Sequence, residues 1–296
     1  MKMTSMAAWV AIATLALTTG ESAADFYIQD FTAPDGTTDL GDGTTIGSSD
    51  GVFGNATNTN QVLNNALRMT AASQNNTRSS FRIPALPNSS LGWTATFDFV
   101  IADAVGGNPP ADGFTFNYGD IPALSTNDDA NTGHGAAEAG MGGNVISFQV
   151  DTWRHGDAGN SPGVGILLNG ALLPGGRVDG TVVPANGSVS GSAMITFINS
   201  RANGLRASFS TTGLATNAEF SELPLTFHGN DAYSWAFSAR TGGAAQDLTI
   251  DNLCIVTAYS LSPNVCAIPE PSAIFYGGLI SSIVGCGVVV RRRCGG

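Results

Sequence analysis

Two carboxylates stand where a strand pattern begins or ends, and both positions suit ligand binding. Asp112 precedes the alternating segment 113–118, and Asp151 closes the alternating segment 146–151. Residues at strand ends lie at the rim of a sheet rather than in its core. A carboxylate at a rim can accept charge-assisted hydrogen bonds from vicinal sugar hydroxyls. We therefore expect Asp112 to take part in binding, against the plainer alternative that it only initiates a turn.

The segment after Asp151 carries further oxygen-bearing side chains. Residues 154–162 include His155, Asp157 and Asn160. A carboxylate at a strand end, followed by carboxylate, amide and carbonyl oxygens, is a donor set that suits Ca²⁺. Ordinary turn chemistry explains Asp157 and Asn160 equally well, so both interpretations stay open.

The elements that would position these residues are β-strands. Small or polar residues alternate with apolar ones at period two, and Gly, Asn, Pro or Ser bounds each run. No helical period persists, and glycine reaches 38 of 296 residues, which favours a β-rich chain with many turns. Short strands without intervening helices predict an all-β, antiparallel sandwich or barrel formed by residues 25–258 as one domain. The predicted strands are 94–101, 114–118, 146–150, 164–168, 193–198, 205–209, 233–239 and 248–256.

Four fragments, taken in order, resemble the L-type (legume-type) lectins: 67–70, 111–116, 146–153 and 235–242. The resemblance implies a concanavalin A-like antiparallel β-sandwich of the jelly-roll type. It further implies that Asp112 binds sugar, with Gly143, Gly242, Gly243 and the residue at 155 close to the same ligand. We also expect the loop 241–247 to set specificity, although a plain hairpin loop fits that stretch as well.

The same resemblance implies a metal centre beside the sugar. Asp151 would bridge metals and the carbonyl of Trp153 would ligate calcium. Asp157 or Asn160 would replace a second calcium ligand that has no aligned match. His155 stands where the pattern has an asparagine, and it is a poor calcium ligand.

Two further departures concern the transition metal of the pattern. Gln149 replaces a glutamate, and Gly163 stands where a histidine is expected. These changes remove its ligands and argue against Mn²⁺, while Ca²⁺ remains an open alternative.

The ends of the chain have the pattern of sorting signals. Residues 1–24 have the layout of a secretory signal peptide. After a linker at 259–268, residues 269–296 resemble the PEP-CTERM sorting signal, which implies processing by a membrane-bound exosortase. Its apolar part, 273–290, is long enough for a transmembrane helix, and a permanent anchor is the alternative. The residues of the signal are Pro269, Glu270, Pro271, Arg291, Arg292 and Arg293. We expect an exported, cell-surface or extracellular protein that is membrane-anchored before processing.

Charge and cysteine usage agree with an extracellular location. Residues 25–266 contain eight arginines and no lysine against 21 acidic residues, a net charge of −13. A body this acidic repels phosphate backbones, so we expect no nucleic-acid partner. Cys254 and Cys266 would face an oxidising compartment, where a disulfide between them is plausible.

Catalysis is not expected. Glycoside hydrolysis needs two carboxyl groups at a defined separation. The strand that would supply them has Gln149 and Asp151, a single carboxylate. The sequence therefore predicts a carbohydrate-binding protein, and more narrowly one associated with exopolysaccharide. The alternatives are a structural surface or matrix protein that retains the sandwich without binding sugar, and a diverged glycoside hydrolase.

Overall fold

The computed structural model describes residues 25–50, 60–75, 77–102, 112–121, 143–153, 162–184, 187–200 and 204–257. These residues form β-strands and one 3₁₀ turn at Ser89–Leu91, with no α-helix among them. The strands are β1 (Phe26–Gln29), β2 (Thr45–Asp50), β3 (Gln61–Leu63), β4 (Ala66–Thr70), β5 (Thr77–Ile83), β6 (Gly92–Ala102), β7 (Gly113–Gly119), β8 (Val145–Asp151), β9 (Gly163–Leu168), β10 (Ala171–Asp179), β11 (Val189–Ser200), β12 (Gly204–Thr212), β13 (Glu219–Leu225), β14 (Ser234–Arg240) and β15 (Asp247–Thr257).

The strands pair antiparallel into two sheets. The eight-stranded sheet has the order β13-β12-β11-β6-β15-β4-β3, with β1 also paired to β15. The seven-stranded sheet has the order β10-β9-β8-β7-β14-β5-β2. Neighbours in space are often distant in sequence, as for β7 and β14, so long connections build both layers. The prediction of an all-β antiparallel sandwich is confirmed.

The core lies between the two sheets and is rich in aromatic side chains. Trp93 on β6 has no exposed surface, and its ring lies 5.1 Å from that of Tyr118 and 5.9 Å from that of Trp235, both on the opposite sheet. Both contacts have edge-to-face geometry, which suits the positive edge and negative face of aromatic rings. This cluster joins the layers and leaves Trp235 no role as an exposed platform for sugar.

The central strands β7, β8 and β14 of the seven-stranded sheet are buried on both faces, which the alternating pattern did not predict. Thr115 and Asn117 on β7 point away from the core, yet neither has exposed surface. The Asn117 side-chain amide donates to Thr115 Oγ1 at 3.0 Å and to Ser238 Oγ at 3.3 Å. The Asn117 amide nitrogen is therefore hydrogen-bonded within the protein, as buried donors generally are, whereas Asn117 Oδ1 has no hydrogen-bond partner among the described residues.

Several expectations for the chain ends lie outside the described residues. These include the signal peptide 1–24, the linker 259–268 and the sorting signal 269–296. No helix in the described part of the chain is long and apolar enough to cross a membrane, and the predicted span 273–290 lies beyond that part. Cys254 is buried and disulfide-bonded. Because Cys266 is not among the described residues, its pairing with Cys254 stays a prediction.

Candidate functional site

Strand register brings Asp112 and Asp151 to one edge of the seven-stranded sheet. Gly113, the first residue of β7, pairs with Asp151 at the end of β8 and with Arg240 at the end of β14. The amide of Asp112 donates to the Arg240 carbonyl at 3.0 Å, and the amide of Thr152 donates to the Asp112 carbonyl at 3.2 Å. We call this edge, formed by Asp112, Asp151, Thr152, Arg240 and Gly242, the rim.

Asp112 is held at the rim by an arginine. Nε of Arg240 donates to Asp112 Oδ2 at 2.8 Å, and the side chain of Asp112 is only 5% exposed against 25% for Arg240. A buried carboxylate needs such a partner because removing its charge from water is costly. The pair places an anion at the floor of the rim with a more exposed set of N–H donors beside it. Together these groups can accept from and donate to neighbouring hydroxyls of a polar ligand.

The loop 241–247 packs against the protein except at its two glycines. Thr241 and Gln246 are buried. The Thr241 hydroxyl donates to the Gln74 carbonyl at 2.8 Å, and Thr152 Oγ1 donates to Gln246 Oε1 at 3.0 Å. Gly243 is exposed and Gly242 is half-buried. The loop therefore presents backbone rather than side chains to a ligand.

Gly242 also makes room for Asp112. A Cβ at Gly242 would lie 3.1 Å from Asp112 Oδ2 and 3.3 Å from Oδ1, closer than ordinary contact. A Cβ at Gly243 would meet nothing within 4 Å. The absence of a side chain at Gly242 thus lets the loop approach the carboxylate closely.

Asp151 is paired with a second arginine, Arg177 of β10. Nη2 of Arg177 donates to Asp151 Oδ2 at 3.1 Å, and the amide of Trp153 donates to Asp151 Oδ1 at 3.1 Å. Nη1 of Arg177 donates to Gln149 Oε1 at 2.5 Å. The side chains of Asp151 and Arg177 are 6% and 14% exposed. Both oxygens of the Asp151 carboxylate therefore have protein partners.

The described residues do not fit the metal centre that the sequence resemblance implies. The Asp151 carboxylate and the Gln149 side-chain oxygen bind a guanidinium, and no group of three or more His, Cys, Asp or Glu able to hold a metal ion is present among the described residues. The other expected contributors, His155, Asp157 and Asn160, lie outside those residues. Trp153 is described and its amide donates to Asp151 Oδ1, whereas the role of its carbonyl as a calcium ligand stays a prediction.

Gly143 lies near the end of β7 that is opposite the rim. The amide of Val145 donates to the Gly143 carbonyl, and Val145 pairs with Gly119 at the far end of β7. Gly113 and Gly119 are six residue steps apart, about 20 Å at the rise of a β-strand. The described residues therefore do not bring Gly143 together with Asp112.

Sequence reasoning missed the roles of Arg177 and Arg240. Arg240 lay inside the lectin-like fragment 235–242, directly after the predicted strand 233–239, and was given no role, while Arg177 belonged to no motif. One signal was available: an acidic body with only eight arginines is expected to place some of them against its buried carboxylates, because unpaired buried charges are unfavourable.

The chain was compared with known proteins. No protein-family model and no curated protein matches it. Among solved structures it is similar to a lectin from Bauhinia forficata in complex with GalNAc, with 15% identity and a TM-score of 0.51 over 81% of this chain and 100% of that chain. It is also similar to the winged bean acidic lectin complexed with methyl-α-D-galactose, with 17% identity and a TM-score of 0.51 over 79% and 98%.

A third similar structure is the exoplasmic/lumenal domain of VIP36 in its metal-free form, with 11% identity and a TM-score of 0.50 over 80% of this chain and 92% of that chain. These identities are low, so the likeness concerns architecture. The chain therefore has the L-type lectin fold, the sandwich shared by legume lectins and VIP36.

Proposed function

We propose that this protein is an exported carbohydrate-binding protein that binds sugar at the rim. The observation that carries the proposal is the convergence of the Asp112–Arg240 pair with the backbone of Gly242 at one edge of the seven-stranded sheet. A sugar presents neighbouring hydroxyls that both donate and accept. The carboxylate supplies acceptors, the guanidinium supplies donors, and the exposed Gly243 adds unobstructed backbone. The galactose- and GalNAc-bound lectins of the same fold support this choice of ligand class.

The proposed export, processing and glycan partner rest on the sequence patterns at the two ends of the chain. The pattern of 1–24 and the PEP-CTERM-like segment 269–296 support export and handling by an exosortase, with the membrane as a transient partner. Exopolysaccharide at the cell surface is then the glycan that the protein meets first.

The arrangement favours binding over hydrolysis. Arg177 forms ion pairs with both Asp151 and Asp179, at 3.1 and 2.9 Å. Hydrolysis of a glycosidic bond requires two carboxyl groups that face the substrate, and both oxygens of the Asp151 carboxylate accept hydrogen bonds from the protein itself. We therefore propose a protein without enzymatic activity.

The proposal is tested by presenting the full-length protein to a broad glycan array and to purified exopolysaccharide. We expect saturable binding that falls at least about tenfold in Asp112→Asn, equivalent to about 1.4 kcal/mol of binding free energy. Asp98→Asn is the matched control, because Asp98 lies on the other sheet. Binding that is equal in Asp112→Asn and the unmodified protein would place the ligand elsewhere.

One observation favours a second function, that of a structural surface protein without sugar affinity. Asp112 is already paired with Arg240 and is nearly inaccessible. If the pair serves only the fold, no glycan binds, and Arg240→Met lowers stability without any binding phenotype.

A further inference from the structure

Arg177 reaches across a neighbouring strand to the rim. It lies on β10, the edge strand, while its partners Gln149 and Asp151 lie on β8, with β9 between them. Strands are spaced about 4.8 Å apart, so the side chain spans roughly 10 Å of sheet surface. Its third contact, Nε to Asp179 Oδ1 at 2.9 Å, returns to its own strand. Three nitrogens of the guanidinium therefore each meet a side-chain oxygen.

Two glycines on β9 leave the path that this side chain follows. The strand register aligns Gln149 with Gly165 and Arg177, and it aligns Asp151 with Gly163 and Asp179. A Cβ at Gly163 would lie 3.0 Å from Arg177 Nε, and one at Gly165 would lie 3.2 Å from Arg177 Cδ. Any larger residue at either position would obstruct the arginine. Gly163 and Gly165 thus leave space on β9 for the Arg177 side chain, and we call this space the cradle.

The two residues that depart from the metal-binding pattern, Gln149 and Gly163, both accommodate the Arg177 side chain. Glycine at 163, in place of a histidine, opens the cradle. Glutamine at 149, in place of a glutamate, keeps an oxygen acceptor for Nη1 while removing one negative charge. A monovalent cation needs fewer anions around it than a divalent metal, and among the described residues Arg177 forms ion pairs with Asp151 and Asp179.

We propose that the guanidinium of Arg177 is the cation that neutralises Asp151 at the rim, where it takes the place of a bound divalent metal. Asp151 is then neutralised and positioned by the protein itself, and the strand ends that carry Asp112 are organised without Ca²⁺ or Mn²⁺. This inference does not rest on sugar binding, because it concerns what holds the rim together.

The first test uses the unmodified full-length protein after treatment with EDTA. Titration calorimetry with CaCl₂ and with MnCl₂ is expected to show no saturable binding. The melting temperature in EDTA and in excess of either metal should agree within about 1 °C, whereas a saturated site would raise it by several degrees. Saturable metal binding accompanied by stabilisation overturns the proposal, whether or not any glycan binds.

The second test removes the cation. Arg177→Ala should lower the melting temperature clearly and Arg177→Lys should lower it less, because lysine keeps the charge but not the planar fork. Arg206→Ala is the matched control, since Arg206 lies on the other sheet and donates to the carbonyl of Glu222. A melting temperature for Arg177→Ala equal to that of the unmodified protein overturns the proposal. If Arg177→Ala does not fold, the lysine variant and the metal titration still decide it.

Discussion

The rim and the outer face of the eight-stranded sheet treat their carboxylates in opposite ways. At the rim, Asp112 and Asp151 are almost fully buried, and each meets an arginine. On the outer face, Asp98 and Asp251 lie directly opposite each other on β6 and β15. Asp98 accepts from the Ser192 hydroxyl at 2.5 Å and from the Asn252 side-chain amide at 2.8 Å. Among the described residues, neither Asp98 nor Asp251 forms an ion pair with a cation.

The difference shows how exposure decides which partners a carboxylate needs. On a half-exposed face, water and neutral donors suffice, and even a like-charged neighbour is tolerated at modest cost. In a dry environment a carboxylate requires a fixed positive charge, because solvent no longer compensates it. Two of the eight arginines in residues 25–266, Arg177 and Arg240, therefore lie beside the buried carboxylates of the rim.

The largest effect is expected from removing an arginine of the rim. Arg240→Met should lower the free energy of unfolding by about 3–5 kcal/mol, because it leaves the Asp112 charge buried without its partner. Chemical denaturation monitored by tryptophan fluorescence measures this change. The double variant Asp112→Asn/Arg240→Met should recover part of the loss. If the Arg240→Met protein is as stable as the unmodified one, the buried carboxylate Asp112 does not need its cation, and the rim does not differ in this respect from the outer face of the eight-stranded sheet.

An intermediate effect is expected from obstructing the cradle. A Cβ at Gly163 would lie 2.4 Å from the Val178 carbonyl and 3.0 Å from Arg177 Nε. Gly163→Ala should therefore displace the backbone of β10 together with the arginine, at a cost of about 1–3 kcal/mol. Gly243→Ala is the control for stability, because its new methyl group meets nothing. Equal unfolding curves for these two variants would show that the cradle has no energetic importance.

The smallest effect, and one of opposite sign, is expected on the outer face. Burial raises the pKa of Asp251 above its usual value, and the charges of Asp98 and Asp30 raise it further. An acid whose pKa is raised in the folded state favours folding at low pH, and that contribution is lost as the pH rises through the folded-state pKa. Asp251→Asn should therefore melt slightly higher than the unmodified protein at pH 7.

Thermal melts across the acidic range check this sign. The difference between Asp251→Asn and the unmodified protein should disappear at low pH, once the Asp251 carboxyl group is protonated. The backbone amide of Asn252 donates to Asp251 Oδ1 at 2.7 Å. A variant that melts lower at pH 7 would mean that this hydrogen bond outweighs the repulsion between Asp251 and Asp98.

Much of the architecture could be predicted from the chain alone. The alternation in 94–101 predicted β6 and its buried face, since a strand with one face on the core shows period two. The same reasoning placed Asp112 and Asp151 at strand ends, and the structure brings them to one edge. It could not place Gly143 relative to Asp112, because nothing in the sequence of a long connection indicates which end of the sheet the connection approaches.

Local patterns determine strands and their buried faces because each side chain's direction depends only on its neighbours along the strand. They do not determine which distant strands become neighbours. The pairing of Arg177 with Asp151 crosses β9, and that of Arg240 with Asp112 joins residues 128 positions apart. Only the tertiary structure decided which arginine meets which carboxylate, because these contacts exist only once the strand order and register of the whole sheet are in place.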